Sequence, residues 1–74
     1  MTDSDTTCTL ISLILPPSCQ VERVLGNTYR ITCPDPGTGR GVWEKRHSIY
    51  PLLHPGDILE VIAEEYHVRS HPRS

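Results

Sequence analysis

The clearest pattern in the chain is a strict alternation over residues 28–33. Tyr29, Ile31 and Cys33 fall on one side, and Thr28, Arg30 and Thr32 on the other. Successive side chains of an extended strand point to opposite faces, so this run predicts a half-buried β-strand. The run before it, residues 19–25, carries Val21, Val24 and Leu25, and the turn dipeptide Gly26-Asn27 separates the two. Together they predict a hairpin. A second alternation sets Leu59, Val61 and Ala63 against Ile58, Glu60, Ile62 and Glu64, entered from a tight turn at Pro55-Gly56-Asp57. Upstream, "CTLISLIL" (residues 8–15) is apolar, short, rich in β-branched and aliphatic residues and stopped by Pro16-Pro17, which predicts a buried strand. "PDPGTGRG" holds two prolines and three glycines and predicts a loop. "VWEKRH" predicts a short third strand. Residues 48–50 predict one helical turn ended by Pro51, with Leu52 and Leu53 plugging the interior. The polar last eight residues predict a short edge strand.

Short strands with Gly/Pro punctuation and almost no helix predict an all-β fold. A small five-stranded OB-type barrel fits, with an SH3-like barrel as the alternative, because closure removes exposed strand edges. The expected organisation is one barrel domain over residues 8–69 between flexible ends, residues 1–7 and 70–74. A chain of 74 residues buries only ~60% of the surface its unfolded form exposes, so its stability margin is thin. With one Trp, three Tyr and no Phe, the core must be aliphatic.

Charge changes the picture only in its placement. The net charge is −2, and Asp3 and Asp5 supply two of the nine acids, so the chain from Cys19 onward is balanced. A strongly basic nucleic-acid binder is excluded, and a local basic patch is not. Cys8, Cys19 and Cys33 are odd in number and include no CxxC, and no basic-apolar leader opens the sequence. The expectation is a cytoplasmic protein with free thiols. The run of residues 10–15 is too short to cross a membrane.

Residues 20–66 resemble the S1-like OB domain of bacterial translation initiation factor 1 and its archaeal and eukaryotic counterpart, initiation factor 1A. "QVERVLGNTYRITC" is similar to the family's first hairpin. "PDPGTGRGVW" sits where the family has its second turn and third strand. "LLHPGDILEVIAEEY" looks like its apolar pair, Gly-Asp turn and fourth strand. The family's Gly-Lys-rich segment is replaced here by the shorter "EKRHSIYP", and the apolar run near the N-terminus has no counterpart in it. The resemblance implies a non-catalytic OB-fold protein that binds ribosomal or structured RNA.

On such a barrel the RNA face would comprise Arg30, Arg40, Trp43, Lys45, Arg46 and His47, with Tyr29 or Tyr50 alongside. Cations would track phosphates and Trp43 would stack on a base. The bland alternative makes Trp43 and Tyr29 core residues. The second functional reading is a protein-binding barrel, an adaptor or inhibitor of the kind viruses and mobile elements carry. It would pair with a partner or with itself through Leu10, Ile11, Leu13 and Ile14 of the apolar run. Cys19, Cys33, His67 and His71 are a formal Cys₂His₂ set, but the cysteines lack the close spacing zinc sites favour, so no metal is expected. No spacing pairs a nucleophile with a base, and "GTGRG" leads into no helix on this reading, so neither an enzyme nor a cofactor is expected.

Overall fold

The structure, a computed structural model, describes residues 3–72, with side chains from Thr6 onward. Residues 1–2 and 73–74, parts of the expected flexible ends, lie outside the described residues. Three helices and four strands follow in the order α1 (Asp3–Ile14), β1 (Gln20–Val24), β2 (Thr28–Thr32), α2 (Pro36–Glu44), α3 (Arg46–Ile49), a 3₁₀ turn (Tyr50–Leu52), β3 (Ile58–Ala63) and β4 (Tyr66–Arg69). The strands form one open sheet in the order β1-β2-β3-β4. The outer pairs are antiparallel and the central pair, β2 with β3, is parallel. The expected closed all-β barrel, OB-type or SH3-like, is therefore not formed. The chain is a small two-layer α/β fold, and the OB architecture implied by the family resemblance falls with the barrel.

Two segments account for the difference. The apolar run read as a strand is the second half of α1. Thr7 and Ile11 are buried, with Cys8 and Leu15 partly so. That spacing is the one-face repeat of a helix, not the two-residue repeat of a strand. Pro16-Pro17 ends it, since proline lacks the amide a helix interior needs.

The segment read as a glycine-rich loop and third strand, residues 34–47, forms α2 and the start of α3. Asp35 caps α2: Oδ1 accepts from the Thr38 amide at 2.8 Å and Oδ2 from the Thr38 hydroxyl at 3.0 Å. Pro36 stands in its first turn, where a missing amide is harmless. A cap of this kind contributes about 1 kcal/mol, enough to offset one helical glycine. Because β2 and β3 run parallel, the chain needs a long crossover between them, and α2, α3 and the 3₁₀ turn supply it.

The helical turn expected at residues 48–50 is instead α3 (Arg46–Ile49), and Pro51 lies within the following 3₁₀ turn rather than ending a helix. The hairpin and the strand after the Gly56-Asp57 turn agree with the sequence pattern. β1 and β2 form the expected hairpin, in register from Gln20↔Thr32 to Val24↔Thr28. Its bend lies one residue early: Leu25 (φ 54°) and Gly26 (φ 80°) take the left-handed conformation. Asn27 instead ties the hairpin to the turn before β3. Its carbonyl accepts from the Ile58 amide at 2.8 Å and its side-chain amide donates to the Gly56 carbonyl at 3.3 Å.

Tyr29, Ile31, Leu59 and Val61 face the helices and are buried with Ile11, Val42, Ile49 and Leu53 in one aliphatic core. Leu53 thus enters the interior as expected, while Leu52 stays at its border. All three helices contribute to this one side of the sheet, and the other side carries none.

Candidate functional site

The structure separates the six residues expected to contact RNA. Arg30 stands on the helix-free side of the sheet. Arg40, Trp43, Lys45, Arg46 and His47 lie in the helical layer, around the junction of α2 and α3. No single face therefore holds the set.

On the sheet, Arg30 is opposite Glu60 in the parallel register. Its Nε donates to Glu60 Oε1 at 2.5 Å, and His67 Nε2 lies 2.7 Å from Glu60 Oε2. The carboxylate is buried beneath these two partners. Burial alone would push its pKa up, but the hydrogen bonds from Arg30 and His67 outweigh it and hold the group below its ordinary value of 4.5. Arg30 is already committed to this network and is a poor free cation for phosphate.

The sign of the pH dependence follows. A carboxyl whose folded-state pKa is depressed stabilises the fold fully above its unfolded value, and that stability is lost as pH falls through the folded value. Thermal melts between pH 6 and pH 3 should show Tm falling from about pH 4.5 downward. Glu60→Gln should flatten the part of this slope that Glu60 supplies. An unchanged slope would mean that the network does not carry acid sensitivity.

At the helix junction, Trp43 packs against the core and is only partly exposed. The Arg46 guanidinium lies 5.0 Å from the Trp43 ring centroid and its Nη1 donates to the Trp43 carbonyl at 3.0 Å. A partly buried ring with a guanidinium already over it is a poor stacking platform for a base. His47 meets Tyr50 edge to face at 5.6 Å. Arg40 and Lys45 are exposed, and among the described residues neither has a carboxylate within 4.0 Å. They are the free cations of this end.

The four residues expected at a protein interface divide differently. Ile11 is fully buried in the core. Leu10, Leu13 and Ile14 are 42%, 77% and 36% exposed. Positions i, i+3 and i+4 stand together on a helix, so the three make one apolar stripe on the outer side of α1. Leu10 also borders a shallow groove with Pro51 and Leu52, which extends the apolar surface. The structure places these four apolar residues on a helix and buries one of them, Ile11; the sequence reading placed them on a strand edge. It missed the groove, because nothing in the sequence says that the 3₁₀ turn packs beside α1.

His67, His54 and His47 contact Glu60, Asp57 and Tyr50 respectively rather than a cysteine. Cys19, Cys33, His67 and His71 do not assemble: among the described residues no group of three or more His, Cys, Asp or Glu is placed to hold a metal ion. No described helix is long and apolar enough to cross a membrane. Comparison of the chain with family models, with curated proteins and with solved structures finds no match.

Proposed function

We propose that this chain is a non-catalytic binding module that docks an amphipathic, basic segment of a partner protein on the outer face of α1. The observation that carries the reading is the stripe of Leu10, Leu13 and Ile14. A protein short of large apolar side chains leaves three of them in water on one helix face. Covering apolar surface is worth ~25 cal/mol per Å², so the stripe stores free energy that only a partner can release.

Two features narrow the occupant. A standard interface buries ~800 Å² on each side, and three partly exposed side chains fall well short of that for a second copy of the chain. A short segment lying along the stripe and into the Leu10–Pro51–Leu52 groove suits the surface better. Charge completes the argument: α1 begins with Asp3 and Asp5 and contains no Lys or Arg. Two copies would bring together two acidic helices, whereas a basic segment complements them.

RNA binding is the second reading, and the unpaired Arg40 and Lys45 favour it. The covered Trp43 ring, the committed Arg30 and a net charge of −2 weigh against it.

Fluorescence anisotropy separates the two. The probes are a labelled amphipathic Leu/Lys helical peptide and a labelled RNA hairpin, each titrated at low and moderate salt. The peptide should bind with micromolar affinity. Leu13→Glu should weaken it at least ~10-fold, since it places a desolvated charge in the contact, and Lys45→Glu should leave it intact. RNA binding that falls steeply with salt, is lost in Lys45→Glu and survives Leu13→Glu would replace this proposal with the RNA reading. Peptide binding indifferent to Leu13→Glu would also overturn it.

A further inference from the structure

The two buried thiols do not belong to the docking surface, and their placement is specific. Cys19 and Cys33 sit one step beyond the terminal register pair of the hairpin, Gln20↔Thr32. Their sulfur atoms are 3.3 Å apart. The Cys33 amide donates across to the Ile62 carbonyl of β3 at 2.8 Å, and the Cys19 amide turns back to the Pro16 carbonyl at 3.0 Å. Neither amide is used between the two residues, so they face each other as a non-hydrogen-bonded pair. In such pairs the Cα atoms are ~4.5 Å apart, inside the ~4.4–6.8 Å window that a disulfide accepts. Closing the bridge thus requires a short approach of two sulfurs and no change of register.

Access is one-sided. Cys19 lines a shallow groove between α1 and β1, together with Cys8, Ser12 and Val21. Cys33 is buried beside it and does not line the groove. Burial, and then the hydrogen bond with Cys19, push the Cys33 thiol up to about 12. In the resting protein Cys33 therefore stays a protonated thiol, and of the pair Cys19 is the sulfur that a reagent in the groove reaches.

We infer that Cys19 and Cys33 form a redox-active dithiol, a site for low-molecular-weight disulfides such as oxidised glutathione, which convert it to a cross-strand bridge at the open end of the β1–β2 hairpin. The Cys19 thiolate attacks one sulfur of the reagent. A mixed disulfide forms on Cys19, the reagent's S–S bond breaks, and its other half leaves as a thiolate that takes up the proton Cys19 lost. With Cys19 capped, its hydrogen bond to the Cys33 sulfur is gone. Cys33 releases that proton and attacks Cys19 Sγ, so the protein disulfide forms and the second half of the reagent departs as a thiol. Two protein thiols are oxidised, and one small disulfide is reduced to two thiols. The bridge closes the hairpin where α1 hands over to β1.

The test uses the full chain carrying Cys8→Ser, equilibrated in glutathione buffers from reducing to oxidising. The expected product has lost two hydrogen atoms by intact mass, maps to a Cys19–Cys33 peptide without reductant, and reverts with dithiothreitol. Its Tm should rise by about 10 °C or more, because a hairpin-sized loop is closed in the unfolded chain. Cys33→Ala, read by mass alone, should stop at the glutathione adduct on Cys19. A Cys8→Ser protein that accumulates only mixed disulfide, stays reduced throughout, or bridges with no rise in Tm would overturn the inference.

Discussion

Ile11→Ala is expected to lower the free energy of unfolding by about 2–5 kcal/mol, whereas Leu13→Ala should fall within about 0.5 kcal/mol of the parent. The two residues are chemically similar and two positions apart. Ile11 is fully buried, while Leu13 is 77% exposed. Urea denaturation followed through Trp43 emission would measure both. A domain of this size has only the lower part of the usual ~5–15 kcal/mol to lose, so Ile11→Ala should be the more dramatic result, with the midpoint shifted to a small fraction of the parent's. The contrast also tests the secondary structure of this segment. In a strand, residues 11 and 13 share a face, and their truncations would have like effects. Equal losses at the two sites would restore the strand and remove the docking stripe with it.

The same pair explains what the sequence could and could not say. The period-two patterns at residues 28–33 and 58–63 were legible because each strand has one side in the core and one side outside it. Their inward sets, Tyr29-Ile31 and Leu59-Val61, emerged as read. Residues 8–15 offered no such contrast. Apolar side chains lie on the docking side of α1 as well as the core side, with only Thr9 and Ser12 as polar positions between them, so the run shows little period to read. Its length was also hidden, because the first turns of the helix are the polar residues Asp3 to Thr7.

In α2 the sequence did carry the signal. Asp35 followed by Pro36 is a helix start, with the cap reaching Thr38. Three glycines argued locally for a loop and prevailed in the reading. The need for a crossover between parallel strands overrode them in the fold. That need is a tertiary fact: nothing in the alternation of β2 or β3 tells parallel from antiparallel. The same ignorance hid the Arg30–Glu60–His67 network, which exists only because β3 lies parallel to β2 in a register that sets Glu60 opposite Arg30. The candidate docking residues were legible as apolar, and their common face was not.

The glycines of α2 give the second large prediction, because two of them should respond with opposite signs. A Cβ at Gly39 would stand 3.1 Å and 3.3 Å from the Tyr66 ring and 3.4 Å from Ala63 Cβ. The absence of a side chain here is what lets α2 lie close over β3 and β4. Gly39→Leu gains up to ~1 kcal/mol of helix propensity. It must also drive the Tyr66 ring aside and lift the helix from the sheet, an overpacking cost of about 1–3 kcal/mol. The net change should be destabilising, and the displaced Tyr66 would loosen β4, whose amides should lose protection in hydrogen exchange ahead of those of β1. Gly41 lies two residues on, and a Cβ there meets nothing within 4 Å. Gly41→Ala should therefore stabilise the protein by about 0.5–1 kcal/mol, since only the backbone entropy of glycine is removed. Both changes are read from the same thermal melts. Gains at both positions would mean that α2 does not rest on Tyr66 and Ala63, and that its seat on the sheet is looser than the buried Val42 beside it requires.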